Sequence, residues 1–168
     1  MIKQNRVFLR TAAAALGVVA AAVLCRLVAQ TTELPYADKL ANFVRFFLYF
    51  GLFAVWGASV QRRVIQTGVR RILVAVALLM IFWLTVRELR WHLVPGADLR
   101  RWLWYFYYLP LLLIPPLAFL ASMSLGRPER YRLPRAVALL FVPSLLLIAL
   151  ALTNDLHQWM FRFPGGRG

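Results

Sequence analysis

An amide, a carboxylate and an imidazole fall within four positions in Thr153-Asn154-Asp155-Leu156-His157-Gln158, directly after the uncharged run 136–152. Groups of these types can bond a polar ligand, bond a neighbouring helix, or satisfy the orphan carbonyls at a helix end. On a continuing helix Asn154 lines up with His157 and Gln158, three and four residues on. Asp155 and His157 are two apart and point to different faces. Two readings follow. Either Thr153, Asn154, Asp155, His157 and Gln158 form a signal- or ligand-binding motif, or they cap the helix and tie it to the aromatic residues of 102–108.

A second group lies earlier in the chain. Glu88 and His92 share a helical face at a spacing of four, with Arg87 and Arg90 beside them. Exposed pairs of this kind are common and weak, so the bland reading is a solvated, charged rim. Tyr108 and Pro110 close the cluster Trp102, Trp104, Tyr105, Phe106, Tyr107, Tyr108, and add two further candidate positions. Catalysis finds little support. The chain has two histidines and one cysteine, Cys25. It contains no His-Glu-x-x-His spacing, no paired cysteines, no glycine-rich phosphate loop and no nucleophile elbow. The sequence is therefore read as a non-enzyme with no cofactor and no metal.

The elements that must position these groups are apolar. Of 168 residues, 62% are hydrophobic, and the mean hydropathy is +0.68. A soluble domain is typically about 45–50% apolar. The excess falls into long blocks separated by short arginine-rich stretches, the pattern of helices threaded through a bilayer. The expectation is one all-α domain over the whole chain, an integral membrane helical bundle of about five transmembrane helices at 7–29, 41–60, 70–91, 102–125 and 136–158. The first span resembles a signal peptide, but Arg26 follows it directly, which favours an uncleaved helix. Its alanines, 12–15 and 20–22, offer a smooth face for packing. Pro110, Pro115 and Pro116 fall inside the fourth span, where each removes a backbone donor.

The net charge of +14 does not imply nucleic acid, because the arginines flank apolar runs instead of lining a polar recognition element. The implied partners are the lipid bilayer, partner membrane helices or a second copy in a homodimer, and an unidentified small-molecule signal. Alternating the five spans leaves Lys3, Arg6, Arg10, Arg62, Arg63, Arg70, Arg71, Arg127, Arg130, Arg132 and Arg135 on one side with Glu129, a balance of +10 against +4 opposite. By the positive-inside rule the N-terminus is cytoplasmic and the C-terminus external, in the bacterial inner membrane. On this topology the Glu88–His92 rim and the Asn154 cluster share the external side.

Thr153, Asn154 and His157 match a Thr-Asn-x-x-His pattern at the end of a span. The stretch Leu152-Thr-Asn-Asp-Leu-His-Gln-Trp-Met-Phe-Arg-Phe163 resembles the Firmicutes form of the N-terminal seven-transmembrane sensor domain of bacterial histidine kinases. Arg101-Trp-Leu-Trp-Tyr-Phe-Tyr-Tyr-Leu-Pro110, and the end of the third span from Trp83 to Arg87, are also similar to that family. The resemblance implies a sensory input module of a two-component system, whose helices bias an attached output domain. Family members continue with further helices and then that domain, so ending at Gly168 implies a truncated module. The alternative is a small structural or scaffold membrane protein that packs against partner helices.

Overall fold

The computed structural model describes residues 2–31, 36–93, 96–128, 135–159 and 161. It consists of helices: α1 (Ile2–Thr31), α2 (Ala37–Arg63), α3 (Thr67–Glu88) prolonged by a π-helical turn (Leu89–Leu93), α4 (Ala97–Ser124), a 3-10 turn (Arg135–Leu140), α5 (Phe141–Leu152) and α6 (Asn154–His157). Among the described residues, four segments are long and apolar enough to cross a membrane, Leu9–Thr31, Ala37–Arg63, Thr67–His92 and Asp98–Ser124. Large hydrophobic side chains stand outward along them: Leu16 is 70% exposed, Val55 70% and Leu78 61%. Water would not tolerate that much apolar surface on a monomer, whereas lipid tails are its natural neighbours. The protein is an all-α, multi-pass membrane protein.

Two helices run further than the hydropathy suggests. α2 continues past the expected 60 through Arg62 and Arg63, and α3 starts at Thr67, ahead of the expected 70, so the connection between them is the three residues 64–66. Arginine is a good helix former whose long stem keeps its charge in water while its backbone stays helical. The last apolar stretch departs the other way. In place of one rod over 136–158 stand a 3-10 turn, a twelve-residue α5 and a four-residue α6. Pro143 occupies the first turn of α5, where its missing N–H goes unneeded, and its ring disfavours α-helical continuation upstream. At the other end Thr153 Oγ1 donates to Ala149 O at 2.7 Å, a back-bond that loosens the helix where α5 gives way to α6.

The chain divides into two compact units, Met1–Trp56 and Gly57–Gly168. In the first, Ala22 and Ala29 of α1 lie seven residues apart on one face and are buried, while Leu24 and Leu27 face outward. On α2, the Arg45 guanidinium donates to Asn42 Oδ1 at 3.0 Å.

In the second unit α4 is the central rod, packed against α3 on one side and α5 on the other. Small residues let the helices approach: a Cβ placed on Gly57 would stand 3.1 Å from the Ala77 Cβ. Between α2 and α3, Gln66 Nε2 donates to Ser124 O at 3.0 Å and to Arg127 O at 3.2 Å, closing the C-terminal end of α4. That bond fixes α3 and α4 antiparallel, so the end of α3 and the start of α4 meet at the opposite end of this unit. Despite Pro110, Pro115 and Pro116, α4 is helical throughout. Pro110 itself is fully buried.

Candidate functional site

The aromatic start of α4 and the polar end of α5–α6 come together at that second end. Tyr105 is 1% exposed and Asn154 0%. The Tyr105 hydroxyl donates to Asp155 Oδ1 at 2.6 Å and accepts a longer bond, 3.4 Å, from Asn154 Nδ2. Asp155 also faces Arg101 Nε at 3.5 Å, and Arg101 reaches Asp98 at 3.3 Å. One carboxylate is thus held by a phenol and a guanidinium from α4, which joins the two helices at their ends.

Asn154 makes a second connection. Its Nδ2 donates to Phe161 O at 2.9 Å and its Oδ1 accepts from Phe161 N at 3.0 Å. An amide side chain is the one group that can both donate to and accept from a single residue's backbone in this way. The Phe161 ring is thereby laid against Trp104 and Tyr108, with centroids 5.9 Å and 5.0 Å away. The segment after α6 folds back onto α4.

His157 takes other partners. Trp159 N–H donates to Nδ1 at 3.0 Å, so Nδ1 bears no proton and Nε2 carries it. Nε2 faces Thr153 Oγ1 at 3.1 Å, and Thr153 spends its own proton on Ala149 O. The relay runs in one direction, Trp159 N–H to His157 to Thr153 to Ala149, and needs a neutral imidazole. Gln158 ends α6 in the left-handed region, at φ 52°, with its N–H on Asn154 O at 2.7 Å and its side chain exposed. Of the five motif residues, Asn154 and Asp155 face α4, Thr153 and His157 bond along the chain, and Gln158 shapes the turn.

The rim on α3 sits at the same end. Glu88 is 5% exposed, not solvated as its spacing with His92 suggests, and its Oε1 lies 3.8 Å from His92 Nε2. Past Glu88 the helix widens into the π-turn Leu89–Leu93, a distortion common at functional sites. Arg90 lies flat on Trp104, its Cζ 3.7 Å from the ring centroid. Trp104 stacks on Tyr107, which meets Trp83 of α3. Tyr108 packs edge-on to Trp104. Rim and polar cluster are therefore linked through one indole: Arg90 on Trp104, Trp104 on Phe161, Phe161 on Asn154. Neither Tyr105 nor Phe161 stands out in the sequence, since aromatic clusters at span ends are ordinary; the signal for Tyr105 is only its place among them.

The arrangement defines a class: a multi-pass helical membrane protein with a buried polar clasp at one end of its helices. The description of one family, the N-terminal 7TM region of histidine kinase, matches residues 40–166, from early in α2 to beyond the clasp. The chain belongs to that family, whose region is sensory and not catalytic. Comparison with curated proteins and with solved structures gave no match.

Proposed function

We propose that this chain is a membrane-embedded sensory input module of a histidine-kinase-type signalling protein, acting on an output domain through movement of its helices. It lies in the bacterial inner membrane with the N-terminus cytoplasmic and the clasp external. Family membership supports the sensory role, and the charge balance of the loops supports the orientation. The observation that carries the mechanism is the pair of bonds from Asn154 to the Phe161 backbone. Through them, a displacement of the end of α5 shifts Phe161 relative to α4. A signal that loosens or tightens the clasp thereby moves whatever follows.

Two experiments test this. In a Cys25→Ser background, Trp159→Cys should react with a membrane-impermeant thiol reagent on intact cells and Ile65→Cys only after lysis; the reverse pattern overturns the orientation. With the chain joined to its histidine-kinase core, Asn154→Ala or His157→Ala should change phosphorelay output at unchanged membrane levels. Unaltered output from both, with a stoichiometric membrane partner co-purifying, would support a scaffold instead.

A further inference from the structure

Three carboxylates stand at the clasp end of the second unit, two of them paired to Arg101 and the third, Glu88, buried with its Oε1 meeting no hydrogen-bond donor. Glu88 faces His92, while Asp98 and Asp155 share Arg101. Arg87 and Arg90 take part in no ion pair among the described residues. They are three residues apart, Arg87 in the last turn of α3 and Arg90 in the π-turn after it, and each lies over an indole. Arg87 Cζ is 5.7 Å from the Trp83 centroid, and Arg90 Cζ is 3.7 Å from that of Trp104 and 4.8 Å from that of Trp91. Trp83, Tyr107 and Trp104 form one continuous row of rings, with centroid spacings of 5.4 Å and 5.9 Å. Both guanidinium groups therefore lie against a single aromatic wall.

A stacked guanidinium spends its face and keeps its edge. The five N–H donors lie in the plane, free to meet a planar pair of oxygens. The Nε of Arg90 is buried and meets no acceptor, so one donor inside the site awaits a partner. An oxyanion is the kind of group that supplies the missing acceptor.

We propose that Arg87 and Arg90, backed by Trp83 and Trp104, form a binding site for one phosphate-type oxyanion, the phosphodiester of an anionic lipid head group. The position favours the lipid source, since the candidate span Thr67–His92 ends here, at the depth where tryptophan, tyrosine and arginine meet head groups. A free phosphate would present the same oxygens. This site shares Trp104 with the surroundings of the Asn154 clasp, but it stands whether or not the chain is a sensor.

The test is native mass spectrometry of the detergent-purified chain offered phosphatidylglycerol or phosphatidylcholine. Wild type should retain phosphatidylglycerol preferentially. Arg87→Gln/Arg90→Gln should weaken that retention roughly thirtyfold, about fivefold per charge removed, while Arg62→Gln/Arg63→Gln, at the C-terminal end of α2, leaves it unchanged. Arg90→Lys, which keeps the charge but not the flat stacked fork, should fall between; it decides the matter if the double variant loses its helical circular dichroism. Displacement of the lipid by inorganic phosphate would keep the oxyanion site and move its source to solution. Equal retention of both lipids by wild type, or wild-type retention of phosphatidylglycerol by Arg90→Lys, overturns the proposal.

Discussion

The Tyr105 hydroxyl donates to Asp155 Oδ1 across 2.6 Å, joining positions 50 residues apart in the chain. The phenol is buried and the carboxylate also faces Arg101, so this is a charge-assisted bond at the junction of two helices. Tyr105→Phe keeps the ring and removes the hydroxyl, with its bond to Asp155 and the longer one it accepts from Asn154. It should cost about 1.5–3 kcal/mol of stability against denaturant in mixed micelles, the usual range for a bond to a charged group. Asp155→Asn should lose part of the same energy, and the double variant less than the sum of the singles, because both changes break one bond. Strict additivity would mean that the bond does not form in the folded protein.

Asn154 bridges both polar groups of the Phe161 backbone. Asn154→Asp keeps the acceptor for Phe161 N–H but sets a carboxylate against Phe161 O and beside Asp155. Asn154→Ala removes both bonds and leaves a void. Both should release the segment after α6, with hydrogen exchange at Phe161 N–H accelerated by one to two orders of magnitude, about 1 kcal/mol for each bond lost. Asn154→Asp should be at least as fast as Asn154→Ala. Slow exchange in both variants would mean that the ring packing of Phe161 on Tyr108 and Trp104 holds the segment unaided.

The apolar blocks were legible from hydropathy because a bilayer demands length and apolarity over whole segments, and local chemistry cannot disguise either. Helix ends were less so. Arg62 and Arg63 look like loop in a hydropathy profile, yet arginine is compatible with helix, and the loop is three residues. The break at Thr153 depends on a hydroxyl turning back to Ala149 O, a choice no periodicity encodes. At the site, residue types pointed to Asn154, Asp155 and His157, but their partners were hidden. Asn154 aligns with His157 on an ideal helix, yet α6 is only four residues long, and its chain reverses to bring Phe161 to the amide. Glu88 looked solvated beside His92; burial depends on neighbours from other helices, which spacing within one helix cannot reveal.

Gln158 holds φ at 52° to end α6. The left-handed region costs a side chain with a Cβ roughly 1 kcal/mol or more, and glycine is free of that strain. Gln158→Gly should therefore stabilise the turn by up to about 1 kcal/mol, with part of the gain offset by the greater freedom of glycine in the unfolded chain. Gln158→Val should destabilise it by more, since β-branched residues tolerate this conformation worst. Chemical denaturation of the three proteins, with the Gln158 N–H to Asn154 O bond followed by hydrogen exchange, gives the order. A Gly variant less stable than wild type would mean that the glutamine side chain has a binding role of its own.

The contact of Gly57 with Ala77 gives a steric prediction of known direction. A Cβ on Gly57 would meet the Ala77 Cβ at 3.1 Å, closer than two methyl groups rest in comfort, so Gly57→Ala needs the helices to part by a few tenths of an ångström. Its cost should be modest, about 1 kcal/mol, because neither side chain can rotate away. Gly57→Leu forces a wider separation and should cost about 2–3 kcal/mol. Ala77→Gly in the Gly57→Ala background reopens the gap and should recover most of the loss, a rescue that a backbone-entropy effect of glycine could not produce. Gly51, with open space around its Cβ position, is the control: Gly51→Ala should be neutral or stabilising, since alanine is the better helix former. If Gly57→Ala behaves like Gly51→Ala, the close approach of α2 to α3 is absent in the membrane.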